Sequence, residues 1–117
     1  MALAVALGAG TARADLLDDV KTRGTIACGV ADALPGFSMN DGKGNWSGFA
    51  ADYCRALAAA IFDDPQKVQF SPVDATAGLS ALTAGTIDVL ARPSVWSVES
   101  GTEVGIKFVG TLFYDGQ

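Results

Sequence analysis

"GTIACGVAD", residues 24–32, is a short apolar run opened by one glycine and interrupted by another, the pattern of a buried strand. "LPGF" (34–37) then turns the chain, and "NDGKGNW" (40–46) forms a glycine-rich turn. From Phe49 the apolar residues Phe49, Tyr53, Leu57 and Ile61 recur every four positions through alanine-rich sequence, which predicts one face of a helix ending before "DDP" (63–65). Ser47 is its expected N-cap. "KVQFSPV" (67–73) reads as a second strand. Asp74 caps a second helix, whose Leu79 and Leu82 are expected to face inward and which Gly85 closes. Gly78 within it costs about 1 kcal/mol relative to alanine. "TIDVLA" (86–91) is a third strand and "GIKFVGTLFYD" (105–115) a fourth.

Strand, helix, strand, helix, strand implies an α/β fold: a parallel sheet with flanking helices and right-handed crossovers. In such sheets ligands bind beyond the carboxyl ends of the strands, where "ADALPGF" (31–37) and "RPSVWS" (92–97) both fall.

The chain has 117 residues, a net charge of −5 and no histidine. Its first fourteen residues, "MALAVALGAGTARA", are an apolar stretch ending in Ala12-Arg13-Ala14, the small-x-small pattern of a signal-peptidase site. The basic segment that opens a signal peptide is missing, so residues 1–14 are expected to be a truncated one. The stretch is too short to cross a bilayer. Its removal leaves the chain more acidic still, which makes nucleic acid and anionic membranes poor partners. Export would place Cys28 and Cys54 where a disulfide persists, and a bridge or two buried thiols both fit the sequence.

Without histidine, Ser-His and Cys-His nucleophile pairs and Cys/His zinc clusters cannot form. Gly8 and Gly10 begin a dinucleotide-binding pattern, but Arg13 stands where its third glycine belongs, and Gly42-Lys43-Gly44 lacks phosphate-loop spacing, so no cofactor is expected. The aspartate pairs at 18–19 and 63–64 look like solvated helix ends rather than catalytic acids. Arg92, at the end of a buried strand, has two readings: a two-bonded seat for a carboxylate, or a surface ion pair. Trp46, Trp96 and Phe37 are either ligand-stacking or packing aromatics.

Taken together, "CGV…LPGFS…DGKGNWSGFAADYCRALAAA" and "LSALTAGTIDVLARPSVWSVESG" closely resemble the N-terminal portion of the periplasmic amino-acid-binding proteins of ABC transporters, of the general L-amino-acid type. The resemblance covers residues 15–117. It implies the first lobe of a type II periplasmic binding fold, in a receptor that captures an L-amino acid in the periplasm and delivers it to an inner-membrane permease. In the family, Leu34 to Phe37 would pack on the ligand side chain. The loop from Arg92 to Ser100 would hold its α-carboxylate, giving Leu34, Phe37, Arg92, Ser94, Val95, Ser97 and Ser100 as candidate site residues.

This sequence departs from the family pattern in that loop. Ser100 stands where the carboxylate-clamping arginine belongs and Val95 where a hydroxyl-bearing contact belongs, so Arg92 corresponds to an earlier arginine. Ala50 replaces an acid, and Gly78 falls where an arginine is common. Relatives also continue into a second lobe that meets the ligand's ammonium, so residues 15–117 are expected to end at the crossover to it and to bind amino acids no better than millimolar. Two other readings are a stand-alone lobe that self-associates through an exposed sheet edge, and a dehydratase-like enzyme on the same fold.

Overall fold

The computed structural model describes residues 15–93 and 106–114. Its elements follow the expected order, with a helix in front and a small hairpin inserted: α1 (Leu16–Arg23), β1 (Ile26–Val30), β2 (Met39–Asn40), β3 (Trp46–Ser47), α2 (Phe49–Phe62), β4 (Val68–Pro72), α3 (Ala75–Ala84) and β5 (Val89–Ala91). β1 lies at the centre of a parallel sheet of order β4-β1-β5, with Cys28 opposite both Phe70 and Val89. All five β1 residues are buried, as a two-sided central strand requires.

α1 begins on Asp15, whose side chain accepts from Leu17 N, and ends on Gly24. Its last residue, Arg23, donates to the Thr25 carbonyl at 3.0 Å and pairs with the Asp88 carboxylate. Asp88 also accepts from Ala27 N at 2.7 Å. One carboxylate thus ties the end of α1, the start of β1 and the entry to β5. Of the paired aspartates, Asp18 and Asp19 sit in the first turn of α1 and Asp63 at the C-cap of α2.

α2 starts where expected but by another device. Its N-cap is Gly48, and no side chain caps it; Ser47 lies in β3. The free N–H groups of Phe49 and Ala50 instead donate to the carbonyls of Gly36 and Phe37, each at 2.9 Å, so the Leu34–Phe37 turn caps the helix with its backbone. Gly48 has φ +110°, and a Cβ there would lie 2.6 Å from the Phe37 carbonyl group, so only glycine fits this crossing.

The face that α2 buries also differs from the expected one. Ala50, Ala51, Cys54 and Ala58 are buried, whereas Phe49 is 48% exposed and Tyr53, Leu57 and Ile61 are half-buried on a shoulder. Small side chains let the helix sit directly on β1. They pack with Cys28, Val30, Trp46 and Ala91, and Cys28 and Cys54 are disulfide-bonded with Cα atoms 6.2 Å apart. Val20, Ile26 and Ala58 form a second cluster beneath α1.

α3 covers the opposite face of the sheet. Asp74 caps it, accepting from Thr76 N and Ala77 N, and Gly85 closes it. Here Gly78 is the buried residue, and Leu79 and Leu82 are half-buried. A Cβ on Gly78 would stand 3.0 Å from Leu90 Cδ1, so the glycine permits the close approach of α3 to β5.

Two strands came out differently from the expectation. β5 covers 89–91 rather than 86–91, because Thr86 N and Ile87 N turn back to the Ala81 carbonyl and finish α3. Residues 106–114 form no strand. An alternating apolar run becomes a strand only where a neighbour offers a ladder, and among the described residues none pairs with it. Leu112 packs on the core cluster, and Phe113 meets Phe37 edge-on at 5.5 Å.

Candidate functional site

Because the three sheet strands are parallel, their carboxyl ends converge. Val73 N donates to the Val30 carbonyl at 2.9 Å, which holds the chain after β4 against the end of β1. Around this point lies an open cavity of about 530 Å³. The segment after β1 supplies Ala31, Asp32 and Leu34; the segment after β4 supplies Pro72, Val73, Asp74 and Ala75; the residue after β5 is Arg92.

The β1 segment is tightly built. Leu34 and Ser38 exchange backbone hydrogen bonds at 2.8 and 2.9 Å, and the buried Ser38 hydroxyl donates to the Ala31 carbonyl at 2.6 Å. Ala33 is held at φ +51°, a conformation that costs a non-glycine residue about 1 kcal/mol or more. Such a position persists only because the turn around it is fixed.

Arg92 is half-buried and crosses the end of β1: it directly follows β5, yet its Nη1 donates to the Val73 carbonyl, beyond β4, at 3.1 Å. Among the described residues its buried Nε meets no acceptor. Among the described residues the ion pairs are Arg23–Asp88 and Arg55–Asp52, so no carboxylate there neutralises Arg92. Asp74 is engaged in capping α3, whereas Asp32 is exposed. The cavity therefore offers a cation at its inner end and a solvated acid on its rim.

The structure brings Leu34 and Arg92 together in one cavity. Phe37 stands beside it, half-buried against Phe113, and is not among the lining residues. Ser94, Val95, Ser97 and Ser100, with Trp96, lie outside the described residues. Trp46 is a packing residue, buried and stacked on Phe70 at 5.6 Å, and takes no part in the cavity. Asp32, Val73 and Asp74 are additions to the expected set. Their signal was position alone: each lies within two residues of the end of a sheet strand.

A second cavity of about 440 Å³ opens at the other end of the sheet, walled mainly by apolar side chains of α1 and α2. It lacks the convergence of opposite charges found at the first. No group of three or more Cys, Asp or Glu side chains among the described residues is placed to hold a metal.

Residues 26–104 match the family model of bacterial extracellular solute-binding proteins, family 3. The chain belongs to this family. It is 44% identical over 116 residues to the general L-amino acid-binding periplasmic protein of Rhizobium johnstonii, a match that covers 99% of this chain and 34% of that protein. It is also 44% identical over 112 residues to the glutamate/glutamine/aspartate/asparagine-binding protein of Rhodobacter capsulatus, covering 96% of this chain and 33% of the relative. Among solved structures it resembles a periplasmic binding protein of an ABC transporter from Brucella ovis with glutathione bound. There the TM-score is 0.75 and the identity 49%, over 79% of this chain and 29% of that one. This family 3 chain thus spans about a third of the length of the curated relatives it matches. Its mixed α/β fold, a parallel sheet flanked by helices, corresponds to part of a type II periplasmic binding protein.

Proposed function

We propose that the chain forms the amino-acid-capturing part of an ABC-transporter receptor, working in the periplasm and passing its ligand to an inner-membrane permease. In this reading residues 1–14 are a secretion leader and residues 15–117 the N-terminal part of the first ligand-binding lobe. The observation that carries it is that Arg92 and Asp32 both line one cavity at the carboxyl ends of parallel strands. A zwitterion needs both an acceptor for its ammonium and donors for its carboxylate, and a neutral solute gains from neither. Leu34 supplies the apolar wall with Phe37 beside it, while Ser94, Val95, Ser97 and Ser100 follow Arg92 in the sequence. The relatives' names, which specify L-amino acids or acidic amino acids and their amides, support the same class.

Capture rather than turnover is the proposed role. Without histidine, a dehydratase-like reaction would need its acid and base from carboxylates or lysines. Calorimetric titration of the chain with L-amino acids tests the reading. We expect millimolar binding of L-amino acids and none of neutral sugars at the same concentrations; equal response to both contradicts it.

A second observation favours self-association. Leu16, Phe113 and Tyr114 are 54%, 58% and 84% exposed, and β4 and β5 are outer strands of the three-stranded sheet. Sedimentation equilibrium is expected to show a dimer at micromolar concentration. A monomer across that range rules it out.

A further inference from the structure

We infer that the Cys28–Cys54 bridge positions the turn that walls the cavity, so that the site keeps its shape only in the oxidised chain. The inference rests on the capture reading above and says which covalent feature prepares the site for its ligand. Between the two sulfurs the chain leaves β1, passes Asp32 and Leu34 on the cavity wall, runs through the β2–β3 hairpin and returns along the start of α2. The bridge, joining positions 26 apart, closes this stretch into a ring. One end of the ring is rigid, because Cys28 lies in β1 and is paired with both β4 and β5. The other end rides on α2.

α2 has little else to hold it on β1. The side chains it buries are Ala50, Ala51, Cys54 and Ala58, and an alanine methyl removes little apolar surface from water. Among the described residues Cys28 and Cys54 are themselves two of the largest fully buried side chains, with Val30 and Ser38. The turn's hydrogen bonds close on the ring itself: Leu34 with Ser38, Ser38 Oγ with the Ala31 carbonyl, and Phe49 N and Ala50 N with the carbonyls of Gly36 and Phe37. None of these reaches β4 or β5. Non-covalent anchors remain at Trp46, stacked on Phe70, and at Phe37, which meets Phe113 in a segment that forms no strand. If α2 lifts from β1, its first turn carries the 34–37 carbonyls with it, and the bridge is the covalent stop on that motion. Ala33, at φ +51°, biases the turn toward relaxing, because such a conformation persists only while its surroundings impose it. A loosened turn must be ordered again by the ligand, and affinity falls accordingly.

The test compares the oxidised ¹⁵N-labelled chain with the same chain unfolded, reduced by a dithiol and refolded in it, since both cysteines are buried. In that reduction one reagent thiolate attacks a cysteine sulfur and the reagent's second thiol resolves the mixed disulfide. Two electrons and two protons thereby pass to Cys28 and Cys54, which become thiols, and the reagent becomes a cyclic disulfide. NMR backbone order parameters at residues 32–38 are expected to be about 0.85 in the oxidised chain and below about 0.6 in the reduced one, with β1, β4 and α3 rigid in both. L-glutamate is expected to bind the reduced chain at least about tenfold more weakly. If the reduced chain loses its dispersed spectrum, Cys28→Val/Cys54→Ala, which refills the space with apolar atoms, is measured in its place. Unchanged order parameters at 32–38, a fall shared equally by the sheet, unfolding of both bridge-free forms, or equal ligand affinity overturns the inference. Absence of binding by the oxidised chain overturns capture alone, and the order parameters still decide the role of the bridge.

Discussion

At the residue scale, three positions show how much one atom decides. Gly48 faces the Phe37 carbonyl group with φ +110°, so Gly48→Ala combines backbone strain with a collision against main chain, which has nowhere to move. We expect a loss of about 3 kcal/mol or more, measured as a lower urea midpoint. Gly78 behaves differently, because the atoms a Cβ meets are the flexible tips of Leu90 and Val73 at 3.0–3.4 Å. Helix propensity favours alanine there by about 1 kcal/mol, and crowding offsets it. Gly78→Ala is therefore expected to fall within about 0.5 kcal/mol of the wild type; a gain of a full kilocalorie would contradict the close packing of α3 on β5. Asp88 is the third. Its side chain is 5% exposed, and Asp88→Ala strips acceptors from both Arg23 and Ala27 N. The expected cost is about 1–3 kcal/mol, read from the same denaturation curve.

At the element scale, the hairpin turn between β2 and β3 depends on Asp41, whose carboxylate accepts from Lys43 N at 2.7 Å, Asn45 N at 3.0 Å and Asn45 Nδ2 at 2.6 Å. The Asn45 side chain above all, then the Lys43 and Asn45 amides, hold its carboxyl below the ordinary aspartate value of 3.8. A depressed folded value means that the turn's support is complete above the unfolded pKa and is lost as pH falls through the folded one. The Asp41 carboxyl resonance should titrate below that of a free aspartate; an inflection at or above 3.8 would remove the support. The Cys28–Cys54 bridge joins β1 to α2 across 26 residues. Reduction is expected to remove about 3–4 kcal/mol on loop entropy, and an unchanged melting temperature in reductant would contradict a role for it.

Much of this was legible at the level of elements. The apolar run 24–32, the four-residue period after Phe49 and the Asp74 cap gave β1, α2 and α3 in order. The buried face of α2 was not, because an alanine-rich helix conceals which side packs when large apolar residues sit on the shoulder. Its N-cap was hidden for a similar reason: the partners of its first N–H groups are carbonyls thirteen residues earlier. The 105–115 run has strand composition, and composition does not report whether a neighbouring edge exists.

At the scale of the whole molecule, the site is a property of topology. Parallel strands end together, so Asp32, Val73 and Arg92 meet although sixty residues separate the first from the last. Arg92 and Leu34 could be picked out from sequence, because turn and strand-end chemistry marked them. Asp32 and the Val73 carbonyl could not, since nothing local sets them apart. The family pattern pointed to this end of the sheet and to the departure at Ser100; among the described residues Arg92 is tied at one nitrogen and without an acceptor at another.

The most direct test of the central claim, that this cavity captures amino acids, is the map of backbone amide shifts as L-glutamate is added to the labelled chain. The account predicts saturable shifts concentrated at Ala31–Leu34, Val73–Ala75 and Arg92. Shifts confined to the α1–α2 side of the sheet, or none up to high millimolar ligand, would contradict it.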